Sequence, residues 1–192
     1  MKGLVVHLLS GFNMRYMKIY AQDVYDNDVP DVVTLEFHDD TRAPTLVHQA
    51  TTFDITDDGK LDWVIADDVN QDGVVDALDR AQAIELAQLF LAFNWFSLDA
   101  PFDKYLKVFA QDFDDNGVPD TVRLHFHQGE GAPTDESIAY TAAIYADGNG
   151  LGGSVINQDV NNDGKTNRQD AELVKQFCAL FLKFGWIDAG RC

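Results

Sequence analysis

Alternating apolar and polar residues predict strands in both halves of the chain. The alternation is strict from Val33 to His38, and residues 122–127 repeat it. Because successive side chains of a strand point to opposite faces, each segment predicts a strand with one buried face. Further strand patterns lie near residues 16–22, 45–53 and 61–66.

A helical pattern follows the strands in each half. Residues 81–96 lack Gly and Pro, and their apolar residues from Ile84 to Trp95 recur every three or four positions, as do those of residues 171–186. This spacing predicts an amphipathic helix. Six aromatic residues lie at helical spacing and are predicted to pack in the core, with a sugar-stacking surface as the alternative: Phe90, Phe93, Trp95, Phe181, Phe184 and Trp186.

The two halves of the chain repeat one another. Residues 18–31 match residues 107–120, and residues 89–95 match residues 180–186. The repetition covers strand patterns, acidic turns and helix tails alike, and it therefore predicts a duplicated structural unit. Residues 1–14 have no counterpart in the second half.

A twelve-residue acidic stretch precedes the helical pattern of each half. Oxygen-bearing side chains occupy positions 1, 3, 5, 9 and 12 of residues 68–79, with Gly73 at position 6, and residues 159–170 repeat this around Gly164. Ca²⁺ takes six to eight oxygen ligands, and a loop with this spacing wraps them around one point. We therefore predict two calcium sites, the alternative being acidic turns without metal.

The predicted ligands of these loops are side-chain oxygens at the five positions and one backbone carbonyl at position 7. They are Asp68, Asn70, Asp72, Val74, Asp76 and Asp79 in the first loop, and Asp159, Asn161, Asp163, Lys165, Asn167 and Asp170 in the second. Paired calcium loops usually share a short β-bridge at position 8, so we also expect Val75 and Thr166 to pair.

The loops resemble the calcium repeats of dockerins, the anchoring modules of cellulosomes. The resemblance lies in the D-x-N-x-D-G run at Asp68 and again at Asp159, in aspartate at position 12, and in the absence of an entering helix. It implies Ca²⁺ as the bound ion and a cohesin-type receptor as the partner. Dockerins recognise that partner through loop positions 10 and 11, which here are Ala77, Leu78, Arg168 and Gln169.

Acidic turns also join the predicted strands. Residues 112–120 fit D-x-D-x-N-G-x-x-D and resemble the calcium hairpins of integrin-type β-propeller blades, and residues 54–62 are similar. Residues 23–31 depart twice, because Tyr25 replaces a ligand and Asp28 replaces the glycine. The alternative is a turn whose side chains bond their own backbone. The predicted ligands are Asp112, Asp114, Asn116, Asp120, Asp54, Thr56, Asp58, Asp62, Asp23, Asn27 and Asp31.

Together these patterns predict an α+β fold of two tandem repeats. Each repeat is a small antiparallel β-sheet with acidic calcium hairpins, followed by a dockerin-like calcium loop and one amphipathic helix. The repeats are residues 15–98 and 104–188, and the short linker 97–103 is expected to keep them in one compact body. A fourth turn, residues 146–153, lacks the acidic pattern and is predicted to be a flexible loop.

Charge and composition limit the partners and the compartment. The net charge of −18 argues against nucleic acid and anionic membranes, and 46% apolar residues allow a substantial core. No apolar run is long enough to insert into a membrane, and residues 4–9 are too short for a signal-peptide core. Weak calcium sites fill where Ca²⁺ is near millimolar, which favours the cell exterior or cell surface.

The sequence offers no clear catalytic constellation, and we predict that the chain is not an enzyme. It lacks a P-loop, a G-x-G-x-x-G run and a zinc helix motif, and most acidic residues belong to the predicted loops. His125 and His127 share a strand face, and His38 matches His127. They are a candidate transition-metal pair, but solvated histidines are the commoner interpretation.

These patterns favour an extracellular calcium-binding structural or adhesive subunit that assembles with itself or with another extracellular protein. The alternative is a dockerin-like anchoring module that binds a cohesin-type receptor. Residues 1–14 are apolar near residues 4–9 and predict either an extra edge strand or a strand donated to a neighbour, which would build a filament. Cys178 and Cys192 form one disulfide or remain as separate thiols.

Overall fold

The structure is a computed structural model that describes residues 14–98, 103–114, 116–129, 134–146, 153–156 and 158–187. The first half contains β1 (Arg15–Gln22), β2 (Val32–Asp39), β3 (Leu46–Phe53), β4 (Trp63–Ala66) and helix α1 (Ala77–Leu91). The second contains β5 (Lys104–Gln111), β6 (Thr121–Gln128), β7 (Ile138–Tyr145), β8 (Val155–Ile156) and helix α2 (Arg168–Phe181). The predictions for residues 1–13, for most of the fourth turn and for Cys192 lie outside the described residues.

The eight strands of the described residues form one antiparallel sheet in the order β4-β3-β2-β1-β5-β6-β7-β8. β1 and β5 meet at its centre, where Lys18 lies opposite Lys107. Lys18 also lies opposite Glu36 of β2, and Lys107 lies opposite His125 of β6. One sheet therefore runs through both halves, and the coarse prediction of an antiparallel α+β fold is confirmed.

Both helices cover the same face of the sheet. α1 contacts β2, β3 and β4, whereas α2 contacts β7 and β8. The alternating apolar residues of the strands, such as Leu35 and Leu124, are fully buried beneath them in one continuous core. Full burial of such a side chain stabilises the fold by about 1.5–3 kcal/mol. In the part of the chain that is described, no helix is long and apolar enough to cross a membrane.

The helices begin and end earlier than the sequence pattern predicts. α1 begins at Ala77 because Asp76 caps it, accepting the N–H of Leu78 at 2.6 Å. It ends at Leu91, and Asn94 then adopts a left-handed conformation with φ 49°. α2 likewise ends at Phe181, before a short 3-10 turn. The polar cap residues thus belong to the acidic loops as much as to the helices.

The tail that follows each helix packs against the opposite half. Trp95, after α1, donates from Nε1 to the carbonyl of His127 at 3.1 Å. Trp186, after α2, donates to the carbonyl of Tyr16 at 3.1 Å. Phe93 likewise packs against Phe126 of the second half, and Phe184 packs against Phe37 of the first half. The core prediction is confirmed for all six aromatic residues of the helices and tails: Phe90, Phe93, Trp95, Phe181, Phe184 and Trp186.

The twelve-residue loops contact these exchanged tails and do not pair with each other. Gln71, at position 4 of the first loop, donates from Nε2 to the carbonyl of Phe184 at 2.9 Å. Asn162, at position 4 of the second, donates to the carbonyl of Phe93 at 2.8 Å. Each loop is therefore attached to the helix tail of the other half.

The predicted bridge between Val75 and Thr166 is wrong. Neither residue lies in a β-bridge, and Val75 is 57% exposed. The physical reason is that the loops dock through their position-4 side chains onto the helix tails.

Candidate metal centre

Five acidic loops begin with the same hydrogen-bonded turn, which we call the loop nucleus. The carboxylate at position 1 accepts the backbone N–H groups of positions 5 and 6. Asp68, for example, accepts from Asp72 at 3.1 Å and from Gly73 at 2.9 Å. The same two bonds form at Asp23, Asp54, Asp112 and Asp159. The three hairpins and the two longer loops therefore share one local structure.

A third bond completes the loop nucleus. The side-chain oxygen at position 5 accepts the N–H of position 7 at 2.7–3.1 Å in every loop. The position-5 residues are Asn27, Asp58, Asp72, Asn116 and Asp163. Bonds of this kind hold the oxygens of positions 1 and 5 on the inner side of the turn, while carboxylate oxygens keep further acceptor positions.

The backbone adopts a left-handed conformation at position 6 of all five loops, and also at position 4 in the four loops where that position is described. At position 6 the φ angle is 89° for Gly73 and 87° for Gly164, values that glycine reaches without steric cost. Asp28 occupies the same position with φ 65°. Aspartate tolerates this region better than most residues, so the missing glycine does not change the conformation of the first hairpin.

The first hairpin contains a buried carboxylate oxygen without a partner. Asp31, at position 9, is 2% exposed, and its Oδ2 accepts the N–H groups of Val24 and Tyr25, each at 2.8 Å. Its Oδ1 is buried and makes no hydrogen bond. A buried anionic oxygen without a partner is costly, and a cation in the loop would satisfy it. Asp31 therefore fits a metal ligand, whereas Tyr25 supplies no carboxylate at position 3.

The hairpin at residues 112–120 brings three carboxylates together. One oxygen from each of Asp112, Asp114 and Asp120 lies within 4.8 Å of the others, and no other such group of His, Cys, Asp or Glu occurs in the described residues. Two unit charges 4 Å apart repel by about 4 kcal/mol at an effective dielectric constant of 20. This donor set consists of hard oxygens and suits a divalent cation such as Ca²⁺.

Backbone N–H groups stabilise the charged form of two position-1 carboxylates. Burial works to raise the pKa of Asp112, but the N–H groups of Gly117 and Asn116 outweigh it and hold the pKa below its usual value. For Asp54 the same opposition of burial and N–H groups, here from Gly59 and Asp58, also lowers the pKa. Both side chains are therefore ready as anions at neutral pH.

The position-12 carboxylates are held mainly by the backbone. Asp79 is fully buried, and its Oδ1 accepts the N–H groups of Val69 and Asn70 at 2.9 and 3.1 Å. Its Oδ2 accepts the N–H of Asp76 at 2.8 Å, which completes a capping box. A carboxylate has about four acceptor positions, so one remains for a metal. Asp170 repeats this arrangement.

Sequence reasoning missed this structural role, although the sequence carried the signal for it. An aspartate three residues after an Asp or Asn N-cap is the arrangement of a capping box, and both loops have it at Asp76 and Asn167. Two predicted ligands of the second hairpin also have side-chain partners within their own loop. Thr56 donates its hydroxyl to Asp62 at 2.9 Å, and Asp58 lies 3.6 Å from the ammonium of Lys60.

Of the histidines predicted to be solvated, His127 is buried, whereas His38 and His125 are half-buried. His127 is 1% exposed, and its ring stacks on that of Tyr105 at 4.8 Å. Burial, with the nearby charges of His125 and Lys107, lowers the pKa of His127 to about 4. The positive charge of Lys107 opposes a metal cation at this place.

Comparisons with protein-family models, with curated proteins and with solved structures find no match to this chain.

Proposed function

We propose that this chain is an extracellular structural or adhesive subunit whose fold is stabilised by Ca²⁺. The observation that carries the proposal is the loop nucleus, which recurs with the same three hydrogen bonds in all five loops. The buried oxygen of Asp31 and the crowded carboxylates of residues 112–120 add support, because both are unfavourable without a cation. The two halves are proposed to be tandem copies of one calcium-binding unit.

The proposed ligand chemistry uses side-chain oxygens of positions 1, 3 and 5, together with the closing aspartate of each loop. When bound, Ca²⁺ would supply the positive charge that offsets the mutual repulsion of these carboxylates. A ligand present at one hundred times its dissociation constant stabilises the folded state by about 2.7 kcal/mol. Several filled loops would therefore contribute as much as the whole stability of many small domains.

A thermal melt with an isosteric control tests the proposal. We expect the melting temperature to fall when Ca²⁺ is removed by a chelator, and Asp163→Asn to lose part of the calcium effect. Glu85→Gln removes the same charge from an exposed position of α1 and should keep the whole effect. Equal melting temperatures with Ca²⁺ and with chelator would overturn the calcium proposal.

The dockerin-like alternative has one supporting observation. Ala77, Leu78, Arg168 and Gln169 are all exposed, so the loop positions that dockerins use for their partner are accessible. Binding of a purified cohesin in Ca²⁺, measured by calorimetry, would favour this alternative. Self-association in Ca²⁺ without any added protein would favour the structural subunit.

A further inference from the structure

The two acidic hairpins of the first half lie side by side. The first hairpin, residues 23–31, joins β1 to β2, and the second hairpin, residues 54–62, joins β3 to β4. Because β2 and β3 are antiparallel neighbours, both turns lie at the same end of the sheet. The backbone links them directly, since the N–H of Asp54 donates to the carbonyl of Asp31 at 2.8 Å. The closing residue of the first hairpin therefore contacts the first residue of the second.

A side-chain hydrogen bond makes another link between these hairpins. Nδ2 of Asn27 in the first hairpin donates to Oδ1 of Asp57 in the second at 2.5 Å. The orientation of the Asn27 amide is defined, because its Oδ1 accepts the N–H of Val29 at 3.0 Å. Asn27 is the position-5 residue of its loop, so the oxygen of this amide is a predicted calcium ligand. Asp57 thus holds a ligand residue of the neighbouring loop.

Asp57 is in turn held by its own loop. It is at position 4 of the second hairpin, with a left-handed φ of 57°. The residues on either side of it, Thr56 and Asp58, donate their N–H groups to Oδ1 of Asp54 at 3.2 and 3.3 Å. Asp54 is the position-1 carboxylate and the first predicted ligand of that loop. A continuous set of contacts therefore leads from the first ligand of the second hairpin to the position-5 ligand of the first.

The first hairpin has an independent reason to bind a cation. Asp31 is 2% exposed, and its Oδ2 accepts the N–H groups of Val24 and Tyr25, so the carboxylate lies inside the turn. Its Oδ1 has no hydrogen-bond partner. Tyr25 supplies no carboxylate at position 3, and the affinity of a calcium loop depends on the number of its charged ligands and on its rigidity. The affinity of this loop therefore depends strongly on how well Asn27 is held.

The second half has the same backbone link without the second acidic loop. The N–H of Ala146 donates to the carbonyl of Asp120 at 2.8 Å. Ala146 has no side-chain oxygen, so the turn after β7 begins without a position-1 ligand. Nδ2 of Asn116, at position 5, has no hydrogen-bond partner among the residues that the structure describes. The third hairpin, residues 112–120, is therefore an internal reference for an acidic hairpin that lacks the side-chain link.

We propose that Asp57 is a positioning residue that couples calcium binding in the two hairpins of the first half. An ion in the second hairpin orders the loop that carries Asp57, and Asp57 then fixes the amide whose oxygen binds the ion of the first hairpin. By linkage, an ion in the first hairpin raises the affinity of the second by the same factor. This inference rests on the proposed calcium function and adds that the first half binds two ions cooperatively.

Repulsion between the two ions opposes this coupling but is weakened by salt. Hairpins on successive pairs of strands are two strand spacings apart, which is about 10 Å. The Debye length is about 8 Å at physiological ionic strength, so exposed charges at that distance are largely screened. Ordering through the hydrogen bond of Asp57 therefore sets the sign of the coupling.

Amide NMR during a Ca²⁺ titration at physiological ionic strength tests the proposal. The position-6 N–H groups report on the three hairpins separately, namely Asp28 for the first, Gly59 for the second and Gly117 for the third. Asp57→Gly keeps the left-handed backbone but removes the carboxylate, and it should weaken calcium binding at Asp28 about threefold to tenfold. Gly117 should not change. Asp57→Asn keeps an acceptor for Asn27 without the charge and should retain an affinity close to that of the unaltered chain.

Impairing the second hairpin gives an independent measure. Asp54→Asn removes the charge of its first ligand and should also weaken binding at Asp28. Asp112→Asn makes the same change in the third hairpin, at the opposite end of the sheet, and should leave the Asp28 midpoint unchanged.

The outcomes separate the coupling from the calcium function itself. Saturable shifts of Gly117, with the same Asp28 midpoint in the unaltered chain, Asp57→Gly and Asp54→Asn, would overturn the coupling and leave calcium binding intact. Equal weakening by Asp57→Asn and Asp57→Gly would show that charge acts rather than positioning, and would also contradict the proposal. No saturable shift at any of the three reporters would overturn the calcium function and the coupling with it.

Discussion

The three acidic hairpins and the two twelve-residue loops begin alike but end differently. In the hairpins the closing carboxylate is at position 9, and a strand follows it. In the longer loops it is at position 12, inside the first turn of a helix. Asp31 and Asp79 nevertheless do the same work, because each accepts the N–H groups of positions 2 and 3.

This comparison separates two roles that the loops combine. The loop nucleus sets the turn and gathers oxygens, whereas the closing aspartate ties the turn to the next element. The carboxylate of Asp79 accepts three backbone N–H groups, whereas Oδ1 of Asp31 has no hydrogen-bond partner. We infer that removing Asp79 damages the fold with or without metal, whereas changing Asp31 acts through the metal.

The largest effect is expected at the closing aspartates of the longer loops. Asp79→Ala leaves three backbone N–H groups without their acceptor, one buried and two part-buried, and removes a capping box, so it should destabilise the chain by about 3 kcal/mol or more. Asp170→Ala should match it. Urea unfolding measures this loss, which should persist in chelator. A loss that disappears in chelator would show that position 12 acts through the metal alone.

The effect of Asp31→Asn on the free energy of unfolding should have opposite signs in Ca²⁺ and in chelator. In Ca²⁺ it removes a ligand charge and should lower stability by about 1–2 kcal/mol. In chelator it removes an uncompensated buried charge and should leave stability equal or higher. Paired unfolding curves in the two conditions measure both values. A destabilisation of the same size in both conditions would contradict a metal role for Asp31.

Breaking the contact between a loop and the opposite helix tail should cost less. Asn162→Ala loses bonds to the carbonyls of Phe93 and Asn94, at 2.8 and 3.4 Å, and should destabilise by about 1 kcal/mol. Gln71→Ala loses one bond and should cost no more than that. Chemical unfolding of both variants, with Gln176→Ala on the exposed side of α2 as the control, measures the difference. A larger loss in the control would argue against the contact.

The smallest predicted effect is on the loss of stability at acidic pH. The pKa values of Asp54 and Asp112 are lower in the folded chain than their usual value of 3.8. The folded state then binds fewer protons than the unfolded state as the pH falls. Their contribution is present above the unfolded pKa and is lost as the pH falls through the folded pKa. Asp112→Asn in chelator should therefore flatten the stability profile below about pH 4. An unchanged profile would refute this.

The sequence predicted local structure better than it predicted contacts between the halves. Alternation placed β1 to β4 within a few residues, because a half-buried strand needs that pattern. The exchange of helix tails was not predictable, since it depends on the left-handed turn at Asn94 and on partners far along the chain. The predicted bridge between Val75 and Thr166 was wrong for the same reason, because it too depended on contacts between distant parts of the chain. The spacing of the calcium ligands could be read from the sequence. The same spacing concealed that Asp79 accepts backbone N–H groups.

Counting bound Ca²⁺ tests the central claim most directly, namely that all five loops share one metal-binding nucleus. Native mass spectrometry of the folded chain, titrated with Ca²⁺ after exhaustive chelation, separates each bound ion by mass. The account predicts five specific ions, with Asp112→Asn and Asp163→Asn each removing one and Glu85→Gln removing none. A chain that binds no Ca²⁺, or only the two ions of the longer loops, would contradict it.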